Sequence, residues 1–284
     1  MSHDVAGSVT ARLKGGLGNQ LFQYAAGSAL AKQLNSTLYL DTGFYQKRNN
    51  SNRTYKLPDI GISAVSNNVT KLSRVGNQLK SRILPKSING NINYVSEPAD
   101  YGFRAFTCHP TQQIYLDGYW QSEKYFIDIR ERLLDEIDLE QINVASQAVA
   151  LPSENTVAVH VRRGDFISSD SSQALSIDYV HNAMREFGNN LDFMFFSDDI
   201  QWCKDNFHGN NVSFANNESD LQDLKQMSEA AHNIIANSTF SWWSAWLNKN
   251  ESQRVIAPQP WTNEDTHKDI LPPHWETIGL RKFK

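Results

Sequence analysis

The chain has 284 residues, 40% of them hydrophobic and 11% aromatic, which is enough to bury one large core or two ordinary ones and excludes a disordered chain. The formal net charge of -4 and a pI near 6.1 exclude a general nucleic-acid binder, although a local basic cluster can still hold a small anion. Two cysteines, Cys108 and Cys203, read as isolated thiols. No apolar run reaches the roughly 18 residues of a membrane span, and the polar start MSHDVAGS carries no apolar signal core.

In chain order, Val9–Leu13 predicts a short strand. A glycine-rich turn follows, and Leu17, Leu21, Tyr24 and Ser28 then recur at helical spacing through Leu34. STLYLD (36–41) predicts a second strand, so the chain opens as a strand–turn–helix–strand unit that favours a parallel sheet. The Asn-, Ser- and Lys-rich stretch 46–93 reads as irregular, with a helix near 70–84. QIYLDGYWQSEKYF (113–126) begins as a strand and ends as a helix start, with a helix continuing to about 141. LPSEN (151–155) reads as a linker. Beyond it, strands at 156–163, 192–197, 211–214, 233–236 and 254–257 alternate with helices near 177–188, 199–206, 219–231 and 241–248. That alternation predicts a doubly wound α/β layer, and two α/β halves, 1–150 and 151–284.

VAVHVRRGDF (157–166) leads an apolar strand directly into two cations. Val157, Val159, Val161 and Arg163 share one face, and Ala158, His160 and Arg162 the other. Ligands of open α/β sheets bind at the carboxyl ends of strands, where Arg162 and Arg163 fall. A guanidinium offers a planar fork of donors suited to phosphate. The competing reading is a structural ion pair between Arg163 and Asp165.

GGLGNQ (15–20) is close to a dinucleotide fingerprint, but Leu21 stands where its third glycine belongs. Gly16 and Gly18 still let a ligand approach the backbone, with Asn19 near a helix N-terminus. In NSTFSWW (237–243), Ser238 and Thr239 can cap a helix and direct donors at an anion. Trp242, Trp243 and Trp246 have the spacing of a core helix. The acidic pair in FFSDD (195–199) reads as a helix cap rather than a metal site, and no cluster has metal-ligand spacing.

Together GGLGNQ, GYWQSE (118–123), HVRRGDF (160–166) and DLKQMSEAAHNIIANSTFSWW (223–243) resemble the bacterial-type α-1,2-fucosyltransferases of glycosyltransferase family 11 over residues 12–261. The resemblance implies a GT-B-like fold, two Rossmann-like halves facing a central cleft. It implies GDP-L-fucose as donor, a terminal β-galactoside such as lactose or a lipid-linked glycan as acceptor, inversion at the anomeric carbon, and no metal or other cofactor. Arg162 and Arg163 would hold the donor phosphates, His160 and Asp223 the guanine, and Ser238 and Thr239 the β-phosphate, while Asn19 would face the reaction centre. Asp165 and Glu123 are the candidates for the general base. The N-terminal half would take the acceptor and the C-terminal half the donor. A cytoplasmic bacterial enzyme is expected, with no nucleic acid as partner, no transmembrane segment, and peripheral membrane contact left open. Rival readings are a fucosyltransferase of another linkage, a carbohydrate-binding module built on the tryptophans, and a phosphate-binding regulatory protein.

Overall fold

The computed structural model describes residues 7–46, 53–63, 65–66, 92–142, 154–164, 175–188, 190–216, 218–262 and 266–280. The helix expected near 70–84 lies outside them, as does Asp165. The chain divides into two compact units, Met1–Ile137 and Asp138–Lys284. Both are α/β units built on parallel sheets, as the alternation of apolar runs predicts.

In the first unit, β1 (Ser8–Arg12) pairs with β2 (Thr37–Asp41) on one side and β5 (Gln113–Asp117) on the other. The outer strands are β3 (Val65–Ser66) and β4 (Ile92–Ser96), giving the order β3-β2-β1-β5-β4. Helix α1 (Leu17–Gln33) crosses from β1 to β2 and is buried on most of its surface. It lies very close to the sheet, because a Cβ on Gly27 would stand 2.9 Å from both Ala11 Cβ and Leu38 Cδ1.

The segment after β5 differs from the continuous helix expected to about 141. Two single-turn 3-10 segments, Glu123–Tyr125 and Ile127–Ile129, precede a short helix α2 (Arg130–Glu136). Phe126 interrupts the turn at φ -145°, where its ring is buried against Phe22 at 5.9 Å between centroids. Burial of this ring overrides the local helical pattern.

In the second unit, β6 (Thr156–Val161) is central and buried on both faces, as its unbroken apolar run requires. Val157, Val159 and Val161 pack beneath α3 (Ile177–Arg185) with Tyr179 and Val180, while Ala158 faces Met194, Phe196 and Met227. β7 (Asp192–Ser197), α4 (Ile200–Asn206), β8 (Val212–Phe214), α5 (Asp220–Glu229), β9 (His232–Ile234), α6 (Thr239–Trp246), β10 (Val255–Gln259) and β11 (Glu276–Gly279) follow. The strand order is β8-β7-β6-β9-β10-β11, and every pairing is parallel. Counted within the unit this is 3-2-1-4-5-6, the doubly wound dinucleotide-fold order, whose ligand crevice lies where the order reverses, outside the carboxyl ends of the first and fourth strands. Here those strands are β6 and β9.

Candidate functional site

Strand β6 stops at Val161, two residues earlier than the pattern predicts, so Arg162 and Arg163 emerge beyond the sheet at the reversal point. On the adjacent strand β9 the chain runs on to Ser238, the N-cap of α6, whose hydroxyl accepts from the Phe240 N–H at 3.3 Å. Thr239 opens that helix. HVRR and NST, far apart in sequence, thus end at the same edge of one sheet because β6 and β9 pair in register, Val159 opposite Ile234. The guanidiniums and a helix N-terminus carry positive charge to one place, the arrangement an anion needs.

The partners of the arginines among the described residues come from a neighbouring strand. Asp165, the expected partner of Arg163, is outside the described residues. The carboxylates that meet the arginines come from β7, which pairs with β6 so that Val161 lies opposite Ser197. Asp198 Oδ2 contacts Arg162 Nη1 at 3.0 Å, and Asp198 Oδ1 accepts from the Arg163 backbone N–H at 2.9 Å. Asp199 Oδ2 accepts from Arg163 Nε at 3.2 Å. The Arg163 guanidinium also covers the Trp202 ring at 3.9 Å. The reading of both aspartates as helix caps therefore holds for Asp199, which accepts from the Trp202 N–H at 3.2 Å, and is corrected for Asp198. Gly164 belongs to the same construction, because a Cβ there would collide with the Asp198 carboxylate. Among the described residues, no group of three His, Cys, Asp or Glu side chains is placed to hold a metal ion.

His160 points from β6 toward the face that carries Phe240, with ring centroids 5.7 Å apart. It is 6% exposed, and its Nδ1 is buried without a hydrogen-bond partner among the described residues. Burial, with the Arg162 charge nearby, pushes its pKa down to about 3. The imidazole is therefore neutral at physiological pH, with an unused polar edge. Because the folded pKa lies below the unfolded value of about 6.5, the unfolded chain takes up a proton that the folded one refuses. Stability therefore falls as pH drops from 6.5 toward 3. Thermal unfolding of His160→Phe should show a shallower acid slope than the wild type. Some slope should remain, since burial also lowers the His267 pKa, to about 4. An unchanged slope would contradict the burial of a neutral His160.

Asp223 lies in the first turn of α5 and is half-buried. That helix packs against α6, and its Met227, with Ala230 just after its last residue, joins the cluster around Ala158 and Phe240.

Gly16, Gly18, Asn19 and Glu123 fall in the other unit. Its strand order also reverses, between β1 and β5, and both motifs of this unit sit at those carboxyl ends. Gly15 turns the chain at φ +84°, Gly16 is the N-cap of α1, and Gly18 is buried in its first turn. Gln20 pins a neighbouring segment, accepting from the Lys56 N–H at 2.9 Å and donating to the Thr54 carbonyl at 2.8 Å. Across the reversal, Asp117 meets Arg12 Nη1 at 2.7 Å and Lys14 Nζ at 3.3 Å, and accepts from the Tyr94 hydroxyl at 2.8 Å. Burial alone would raise the Asp117 pKa, but Tyr94 and the two cations hold it below the usual carboxylate range. Lys14 also lies over the Tyr119 ring at 4.5 Å.

The turn after β5 is strained, with Trp120 at φ +57°. Glu97 holds it, its carboxylate accepting from the Tyr119 N–H at 2.7 Å and the Trp120 N–H at 2.6 Å. Burial raises the Glu97 pKa despite these bonds. Gln121 then donates to Asn19 Oδ1 at 2.8 Å, which ties GYWQSE to GGLGNQ. Glu123 is 8% exposed and occupies the first turn of a 3-10 segment capped by Ser122. Glu97 and Asp117 belong to no motif singled out in the sequence, and FFSDD gives no sign that Asp198 meets the arginines. The signal that finds them is topological: each lies at or just past the carboxyl end of a strand paired with a motif-bearing strand or ending in a motif.

The tryptophans offer no platform. Of the seven in the chain, Trp120, Trp242, Trp243, Trp246, Trp261 and Trp275 are buried, and Trp202 lies under Arg163. No described helix is long and apolar enough to cross a membrane.

Comparison with known proteins identifies the family. An Escherichia coli alpha-1,2-colitosyltransferase is 32% identical across 95% of this chain and 98% of its own length. The E. coli O-antigen biosynthesis glycosyltransferase WbnK is 28% identical across 93% of this chain and 98% of its own. A Caenorhabditis elegans galactoside 2-alpha-L-fucosyltransferase is 27% identical across 96% and 80%. Among solved structures, Arabidopsis thaliana FUT1 in complex with GDP superposes with a TM-score of 0.52 at 11% identity, covering 90% of this chain and 71% of that one, a likeness of GT-B fold alone. The family model for glycosyl transferase family 11 matches residues 1–279, and the chain belongs to that family.

Proposed function

We propose that the protein transfers L-fucose from GDP-β-L-fucose to the 2-hydroxyl of a terminal β-galactoside, inverting the anomeric carbon to give an α-1,2-fucoside. The observation that carries this reading is the convergence of Arg162, Arg163 and the Ser238–Thr239 helix start at the reversal point of the 3-2-1-4-5-6 sheet. As the bond from fucose C1 to the leaving oxygen breaks, charge develops on the β-phosphate. Fixed guanidiniums and helix-end N–H groups stabilise that charge without a metal. His160, with its unused ring nitrogen, and Asp223 take the guanine. The unit Met1–Ile137 takes the acceptor, with Asn19 and the segment Tyr119–Glu123 lining its side. Glu123 is one candidate to receive the acceptor proton and Asp165 the other. Asp165 stands two residues after the arginine pair in sequence, and an aspartate placed beside two guanidiniums would be a poor base, which favours Glu123.

A second reading is kept because a relative 32% identical is named a colitosyltransferase. Under it the same chemistry moves colitose, a sugar that differs from fucose in lacking the 3-hydroxyl, from its nucleotide. Incubation with GDP-fucose and lactose should release GDP in step with a 2-linked fucosyllactose, at a rate unaffected by excess EDTA. Transfer only from the colitose nucleotide selects the second reading. Loss of turnover on chelation, restored by Mn²⁺, refutes the metal-free mechanism. No turnover with either donor refutes the transferase reading.

A further inference from the structure

Asn19 and Gln121 come from two different motifs and meet at the carboxyl ends of β1 and β5. The Gln121 Nε2–H donates to Asn19 Oδ1 at 2.8 Å. This leaves Asn19 with its carbonyl engaged and its Nδ2–H₂ group as the end available to a ligand. That NH₂ group lies against the bare Cα of Gly15, where a Cβ would come within 2.7 Å of Nδ2. Gln121 itself is 8% exposed and cannot swing freely. Its backbone follows Tyr119 and Trp120, both bonded to the Glu97 carboxylate, and Trp120 is locked at φ +57°. A chain of fixed contacts thus runs from Glu97 through Gln121 to Asn19.

We infer that Gln121 is a positioning residue: it sets which end of the Asn19 amide faces the substrate, so that Asn19 presents N–H donors to an oxygen of the reacting sugars. The inference rests on the proposed function only in placing Asn19 at the reaction centre. An unanchored primary amide rotates between two states with opposite polarity, and only one can donate. Fixing the donor before substrate arrives removes that reorganisation from the chemical step. The effect therefore belongs to kcat rather than to donor binding, which the other unit provides.

The test is a set of Gln121 variants measured with GDP-fucose and lactose. Gln121→Met keeps the volume but frees the Asn19 carbonyl. It should lower kcat by about tenfold while the donor KM stays within about twofold, on the scale of one lost hydrogen bond. Gln121→Glu should cost more than Gln121→Met, because a carboxylate only accepts and would turn the Asn19 amide around. An equal or smaller cost overturns the assigned polarity. In an Asn19→Ala background, Gln121→Met should have no further effect on kcat; a full multiplicative loss there shows that Gln121 acts on its own and overturns the inference. An independent arm uses NMR. The Asn19 side-chain NH₂ pair, identified by its loss in Asn19→Ala, should move toward free-amide shifts in Gln121→Met, and an unmoved pair overturns the inference whatever the activity shows. If the wild type transfers no sugar, the proposed function falls, and the NMR arm alone decides the positioning role.

Discussion

Arg162→Lys should lower kcat/KM for GDP-fucose by at least about a hundredfold, roughly 2.7 kcal/mol at the transition state. The substitution keeps the charge, so charge alone is not what it removes. Arg162 lies one residue past the end of β6, and its Nη1 is held by Asp198 at 3.0 Å. A guanidinium can keep that contact and still direct further N–H groups at a phosphate in a fixed plane. An ammonium on a flexible stem offers a single point charge with no fixed donor plane, so it cannot hold Asp198 and make the bidentate phosphate contact at once. Asp198 also accepts from the Arg163 backbone N–H, so its displacement spreads to the second arginine. Steady-state kinetics with the melting temperature as control checks this. Near-native turnover in a well-folded Arg162→Lys removes Arg162 from the donor site.

The apolar runs made much of this legible in the sequence. The strands from 156 to 259 and the helices between them lie within a few residues of their expected positions, because buried parallel strands carry long unbroken signals. Edge strands carry weaker ones. Ile92–Ser96 alternates between exposed and half-buried, and Glu276–Gly279 is polar and four residues long, so neither stood out from its flanks. The arginines mark a candidate anion site in the sequence, but their contacts with Asp198 and Asp199 are not visible there. Asp165 is two residues from Arg163 and invites a local pairing, whereas Asp198 and Asp199 are brought in by the register between β6 and β7. Register is a property of pairing across the sheet and leaves no mark on either strand alone. Glu97 escaped for the same reason: its role is to hold two backbone N–H groups on the far side of a parallel pair. The two units divide at Ile137/Asp138, at the end of α2.

Trp242→Ala separates a core role for the tryptophans from a sugar-binding one. Trp242 is fully buried, stacked on Trp246 with centroids 6.0 Å apart and 16° between planes, and flanked by Trp243 at 5.2 Å and Trp275 at 5.4 Å. Its Nε1–H donates to the Ile270 carbonyl at 2.8 Å, which fastens the segment before β11 to α6. Removing the ring opens a cavity and leaves that carbonyl unpaired. The expected cost is about 3–5 kcal/mol, against a typical total stability of roughly 5–15 kcal/mol. Denaturant unfolding should show a large fall in midpoint, and the start of α6, which carries Ser238 and Thr239, should lose its fixed position. A ring serving as a sugar platform would give the opposite pattern, with glycan binding lost and stability nearly unchanged. Trp202→Ala provides the contrast within the same unit. That ring is half-buried and carries the Arg163 guanidinium at 3.9 Å, so its loss should register first as a raised donor KM and only weakly in stability. If Trp242→Ala instead leaves the midpoint in place, the packing of α6 cannot be what holds the Ser238–Thr239 end at the carboxyl edge of β9, and the donor site would need another anchor.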